Sequence, residues 1–170
     1  MTRKKIIIVD SSVIISGFNI GDVDAEIWIT ESALKEIKST VPYKVEPYLH
    51  NKIKIIDVPP MLLKDAKQIA KQTGDFIKLS DTDLELIALM LYARKEGHNV
   101  VIATNDYAIQ NIAKHLRIEI VAIGYNKINE VRLWGLFCPI CKRTFPSNSE
   151  YKICPYCNVK LKRFKIKKTH

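Results

Sequence analysis

An α/β fold, with a mainly parallel sheet flanked by helices and a small module after it that carries all the cysteines, is predicted by three observations. Short β-branched runs such as K-I-I-I-V and N-V-V-I-A alternate with helical patterns. The runs are continuously apolar, as strands buried on both faces are. Cys138, Cys141, Cys154 and Cys157 all fall in the last quarter of the 170 residues. Composition agrees: 47% hydrophobic and 26% charged residues suffice for one core and a small appendage, and exclude a disordered chain.

Lys4 to Val9 reads as the first strand, and S-S-V-I-I-S-G turns from it into a short helix ending near Gly17, which sets Asp10 on the turn. E-I-W-I-T is a short extended segment, followed by a helix from Glu31 to Lys38 that carries Glu36. K-I-K-I-I-D is a second strand candidate, and Pro59 and Pro60 beyond it suit the first turn of a helix. That helix, Met61 to Gln72, gathers Leu62, Leu63, Ala66, Ile69 and Ala70 on one stripe and stops before Gly74. Ser80 is an N-cap with Asp83 three residues on, and Leu84, Ile87, Ala88, Leu91 and Tyr92 form an apolar face ending before Gly97. Asn99 to Ala103 is a strand, and Asp106 to Leu116 a helix with Ala108, Ile109, Ile112 and Ala113 inward. Ile118 to Ile123 is a further strand; Gly124 and N-K-I-N-E read as a linker. The closing V-K-L-K-R-F-K-I-K-K alternates apolar and basic residues with one slip at Arg163, as a strand with a basic outer face would.

The net charge of +9 is unevenly placed. Acids and bases balance from Met1 to Val131, whereas Arg132 to His170 holds ten basic residues against Glu150 alone. Such a concentration favours polyanions, because each phosphate neutralised by Lys or Arg releases condensed counterions. A solubilising tail is the plainer reading of the same run. A membrane partner fits less well: there is no lipidation motif, no long amphipathic helix, and no stretch near the length of a membrane span. The opening M-T-R-K-K-I-I-I-V is broken at Asp10 before it reaches the length of a signal sequence. A cytoplasmic protein is expected, in which paired cysteines are metal ligands rather than disulfides.

The turns C-P-I-C and C-P-Y-C, twelve residues apart, can aim the thiolates of Cys138, Cys141, Cys154 and Cys157 at one tetrahedral Zn2+. A closed site of this kind has no open coordination position, so the zinc is expected to fold a ribbon and not to catalyse. Lys142 and Asn158 stand where such turns commonly place Gly, and Lys tolerates a left-handed backbone poorly. Trp134, Phe137, Phe145, Tyr151, Tyr156 and Phe164 interleave with basic residues, a mixture that serves base stacking and phosphate pairing. About half of these rings are expected to be the module's own core, since so small a unit has little else to bury. The expected RNA-binding set is Lys142, Arg143, Lys152, Lys160, Lys162, Arg163, Lys165, Lys167 and Lys168. Removing the chain from Arg132 onward is expected to weaken RNA binding and flatten its salt dependence.

Asp10 and Asp106 each follow an apolar run, at the strand ends where open α/β sheets collect ligands. With Glu36 and Asp83 they could form a carboxylate cluster that holds Mg2+ or Mn2+ for phosphodiester hydrolysis. Asp83 is equally a capping-box acid, and the two roles are compatible. His50, His98, His115 and His170 sit in no motif that pairs an acid with a base, which disfavours a metal-free ribonuclease; Ser12 breaks the D-x-D of a haloacid-type phosphatase.

V-D-S-S, A-L-K-E-I, L-S-D-T-D-L-E-L-I-A-L and I-A-T-N-D-Y-A-I-Q-N-I-A match successive motifs of the PIN-domain ribonucleases, and the chain resembles them over nearly its whole length. With a terminal zinc ribbon it is similar to the archaeal Nin-one-binding endonucleases, a family that matures the 3′ end of small-subunit ribosomal RNA. The resemblance implies a nuclease domain over 1–124, a linker over 125–131, a ribbon over 132–164 and a basic tail over 165–170. It implies Asp10, Glu36, Asp83 and Asp106 as metal-holding catalytic acids, with Ser12 and Thr104 supporting them through hydrogen bonds. Asn105 stands where the family often has a second Asp. The implied partners are precursor rRNA, the pre-ribosomal small subunit and assembly factors. Two other readings stay open: a non-catalytic RNA-binding assembly factor, and a toxin-type PIN ribonuclease with a small antitoxin partner.

Overall fold

The computed structural model describes residues 4–122 and 128–166. Its main sheet has five parallel strands, β1 (Lys5–Val9), β2 (Glu26–Ile29), β3 (Ile53–Ile55), β4 (Asn99–Ala103) and β5 (Glu119–Val121), in the order β3-β2-β1-β4-β5. Chain order reverses at β1, so the seam between β1 and β4 is the switch point of the sheet, where a crevice opens beyond the strand ends.

The alternation of side chains along each strand explains why the runs are apolar throughout. Ile6 and Ile8 of β1, with Val100 and Ile102 of β4, pack against α3 (Pro60–Thr73), α4 (Asp81–Lys95) and α5 (Tyr107–His115). Ile7, Val9, Ile27, Ile29 and Val101 point the other way, onto α1 (Ser11–Ile15) and α2 (Glu31–Thr40). Each fully buried isoleucine contributes about 1.5–3 kcal/mol of hydrophobic stabilisation before the entropy of ordering it is subtracted. Helix α4 is buried more widely than its expected stripe: Leu86, Leu89 and Met90 are also sequestered, because α3 and α5 both pack on it. Pro60 starts α3, and Gly74 ends it in the left-handed conformation at φ 76°.

A second sheet, β7-β6-β8, is antiparallel and comprises β6 (Trp134–Phe137), β7 (Thr144–Phe145) and β8 (Lys162–Lys165). The long closing strand expected from V-K-L-K-R-F-K-I-K-K is therefore a correction as far as Ile166: among its described residues four, Lys162–Lys165, pair as a strand, with one isolated bridge from Lys160 to Ile153, while Lys167 and Lys168 lie outside the described residues. The strand expected over Ile118–Ile123 is described as Glu119–Val121; Ile123, Gly124 and the start of the linker lie outside the described residues.

Where the linker segment is described, it is docked. Ile128 is buried, and its N–H donates to Gln110 Oε1 at 3.0 Å. Asn111 clamps Arg132 in both directions, donating to its carbonyl and accepting from its N–H, each at 2.7 Å. Both ends of 128–132 are thus held on α5. The two sheets are further joined where Gly74 meets Trp134, since any Cβ at Gly74 would collide with the Trp134 carbonyl. Ile77 packs on the apolar cluster of the smaller sheet. Among the described residues no helix is long and apolar enough to cross a membrane.

Candidate active site

Asp10 leaves β1 still bonded to its neighbour, its N–H donating to Ala103 O at 3.0 Å, and then caps α1 by accepting from the Ser12 N–H at 3.2 Å. Thr104 continues β4 and bridges the seam: its hydroxyl donates to Asp10 Oδ2 at 2.8 Å and accepts from the Asp106 N–H at 3.0 Å. Asp106 caps α5 through the N–H groups of Ala108 and Ile109, at 2.6 and 3.1 Å. Asp83 completes a capping box with Ser80 at the start of α4. The capping reading of Asp83 is met, and this helix start opens onto the same space as Asp10.

That space is an open cleft of about 460 Å³, lined by Asp10, Ser12, Glu36, Asp83 and Asp106 together with Ser11, Thr30, Ser80 and Thr82. The four acids named from sequence share it. Ser12 supplies a main-chain N–H to Asp10, while the hydroxyl that links acids belongs to its neighbour: the buried Ser11 donates to Glu36 Oε2 at 2.7 Å and lies 3.4 Å from Asp10 Oδ1. Sequence pattern does not single out Ser11; the S-S doublet after Asp10 is its only signal.

Behind the cleft, Gln110 is fully buried and donates to the Thr104 carbonyl at 3.1 Å while accepting from Ile128. One amide thus holds both the loop that orients Asp10 and Asp106 and the segment leading to the smaller sheet. The adjacent Asn111 donates to the buried carboxylate of Asp75 at 2.7 Å. The sequence signal for this network is the pair of amides set among Ile109, Ile112 and Ala113.

Burial pushes the Asp83 carboxyl above the usual carboxylate range; Ser80 opposes this, and the like charges of Asp106 and Asp10 add to it. The fold therefore favours protonated Asp83, a contribution present at low pH and lost as the pH rises through its raised value. A cation held by Asp83 would compete with protons for the same carboxylate. Mn2+ affinity is expected to fall as the pH is lowered through the Asp83 range, and calorimetry in buffers of different ionisation enthalpy should register proton release. A pH-independent affinity with no proton release would contradict the shared-cluster geometry.

The cysteines form a tighter set. All four Sγ atoms lie within 4.8 Å of one another, with Cys138 and Cys154 buried and no disulfide between them. The acids are spread more widely around their cleft, an arrangement that suits a hard cation retaining several of its waters. Main-chain hydrogen bonding at Arg143 holds the Cys141 thiol down to about 6, whereas hydrogen bonding to Cys141 pushes Cys157 up to about 12. Neighbouring sulfurs so placed cannot all carry charge without a cation among them, so the donor set fits a metal ion. Lys142 and Asn158 adopt the left-handed conformation that the sequence puts in question, at φ 60° and 52°, and each donates its N–H back to the first cysteine of its turn.

A family model described as the PIN domain of ribonuclease matches residues 7–92. The chain belongs to the PIN-domain ribonucleases. As a PIN protein it is an endoribonuclease of the divalent-metal type. Its similarity to curated relatives extends past the matched segment. It is 33% identical to Endoribonuclease Nob1 of Methanocaldococcus jannaschii over 96% of this chain and 79% of that protein. It is 29% identical to Endoribonuclease Nob1 of Pyrococcus abyssi over 95% of each chain. It is 30% identical to Ribonuclease VapC1 of Thermoplasma acidophilum over 93% of this chain and 77% of that one.

The RNA-binding set expected from sequence is divided by the PIN structure. Lys142, Arg143, Lys152, Lys160, Lys162 and Lys165 are exposed; Lys167 and Lys168 lie outside the described residues. Arg143 stacks on the exposed Tyr156, 4.2 Å from the ring centre. Arg163 differs from the rest of the set: it turns inward, pairs with the buried Asp75 and stacks on Trp134 at 4.5 Å. The slip in the alternation at Arg163 marks this inward turn. Of the rings, Tyr151, Tyr156 and Phe164 are exposed, while Trp134, Phe137 and Phe145 are partly covered.

Proposed function

We propose that this PIN-domain endoribonuclease cuts precursor ribosomal RNA at the 3′ end of the small-subunit rRNA, in the cytoplasm, with the pre-ribosomal small subunit and its assembly factors as partners. The observation that carries the catalytic half is the meeting of Asp10, Glu36, Asp83 and Asp106 in one cleft at the switch point of the sheet. The choice of RNA is supported by the likeness to Endoribonuclease Nob1 along nearly the whole chain, including the four-cysteine module.

In this reading those four acids hold Mn2+ or Mg2+, which activates water and neutralises charge developing on the phosphoryl oxygens. The remaining work falls to the protein. Thr104 and Ser11 fix the rotamers of Asp10 and Glu36, and the two helix caps fix Asp106 and Asp83, so the carboxylates are set in place before substrate arrives. Cys138, Cys141, Cys154 and Cys157 hold Zn2+ as a closed structural site, which keeps the ribbon folded against the nuclease domain.

The test is incubation with an RNA spanning the small-subunit 3′ boundary, with and without Mn2+, followed by mapping of the new ends. A single metal-dependent cut at the boundary, leaving a 3′-hydroxyl and a 5′-phosphate, is expected. Cleavage only of transfer or messenger RNA would favour the toxin-type reading, which the likeness to Ribonuclease VapC1 keeps in view. Binding that survives EDTA with no cleavage under any metal would favour a non-catalytic assembly factor.

A further inference from the structure

In sequence the excess positive charge begins at Arg132, but in space the nuclease domain extends it. Three lysines of α3, Lys64, Lys67 and Lys71, stand at spacings of three and four and so share one face of that helix. The face fronts a groove of about 480 Å³ whose far wall is the ribbon, through Asn148 and Glu150. Phe76 lies between the two units, with the Lys71 ammonium 5.4 Å and the Lys152 ammonium 4.7 Å from its ring centre. Glu150, the one acid in the sequence after Arg132, reaches across and pairs with Lys71 at 2.6 Å.

The groove is tied to the cleft by a short tether. Helix α3 ends at Thr73, and the connection 74–79 leads directly to Ser80 and Asp83, which line the cleft. Even fully extended, that connection spans no more than about 25 Å from Thr73 to Ser80, so the Lys71 end of α3 lies within roughly that reach of the cleft's edge.

We propose that this groove carries the phosphodiester backbone of the RNA substrate, with Lys64, Lys67 and Lys71 as phosphate contacts and Glu150 as an internal competitor that the RNA displaces from Lys71. The inference rests on the nuclease reading for the identity of the polyanion. It assigns the nuclease domain, and not the ribbon alone, a share in substrate affinity.

The test is fluorescence anisotropy of the full chain, loaded with zinc and without Mn2+ or Mg2+, on a labelled single-stranded RNA of arbitrary sequence across a salt series. The variant Lys64→Gln/Lys67→Gln/Lys71→Gln is expected to bind about tenfold more weakly at physiological salt, with the log–log salt slope reduced by about 2, since each phosphate contact to a single strand contributes roughly 0.7. Lys64→Gln/Lys67→Gln, which touches only exposed side chains, should lower the slope by about 1. Glu150→Gln should tighten binding severalfold, the opposite of what loss of a merely structural ion pair would do. Unchanged affinity and slope in both lysine variants, or weaker binding by Glu150→Gln, would overturn the proposal. Because the RNA is arbitrary and no cleavage is read, failure of the rRNA assignment leaves this outcome independent.

Discussion

Asp10→Asn is expected to leave the protein folded and able to bind RNA while cleavage falls by more than about 100-fold. Loss of a partner outside a metal's own ligands already costs about 10–100-fold, and Asp10 stands at the centre of the candidate cluster. The substitution keeps the shape of the side chain and its acceptor for the Ser12 N–H, so the cap on α1 survives. What it removes is the charge facing Asp83 and Asp106 at the seam of β1 and β4. Single-turnover cleavage, RNA anisotropy and thermal unfolding should be measured on the same preparation. Turnover within a few-fold of the parent would end the catalytic assignment of this residue.

Arg163→Ala should destabilise the protein by about 3–5 kcal/mol, the cost of leaving a buried charge without its partner. Asp75 is fully buried and Arg163 largely so, and their pairing crosses from the end of α3 to β8. Burial pushes the Asp75 carboxyl upward, while Asn111 and Arg163 oppose the shift. A loss of this size in a chain of 170 residues lowers the melting temperature by roughly 10 °C. The double variant Asp75→Asn/Arg163→Met should recover most of it, because the desolvated charges leave together. A single variant as stable as the parent would show that the Asp75–Arg163 pair contributes nothing to holding the two units together. The same pairing changes the meaning of truncation before Arg132: that cut strands Asp75 and Asn111, so a loss of RNA binding in the shortened chain reports unfolding as well as lost lysines.

Much of the fold is legible in sequence because strand and helix periods are local. The runs ending at Val9 and Ala103 announce buried parallel strands, and the acids just beyond them announce the cleft. Ser80 and Asp83 are readable as a cap because a capping box spans four residues. The contacts that escape are those whose partners are far apart in the chain. Nothing near Asp75 says that Arg163 will neutralise it, and nothing near Gln110 says that it will hold both Thr104 and Ile128. The polar stretch reads only as a linker from its composition, and nothing in it announces that Asn111 fixes the main chain where it ends. Ser11 and Ser12 differ only in which way a turn directs each hydroxyl, which spacing cannot resolve.

The pairing of β1 with β4 has a consequence for the making of the enzyme. Asp10 is synthesised early, yet the hydroxyl that orients it belongs to a residue 94 positions later, and Asp106 follows that. A nascent chain emerging from the ribosome therefore holds only part of the acidic cluster until α5 has left the exit tunnel. The cutting centre is therefore complete only after β4 and α5 are free to fold against β1.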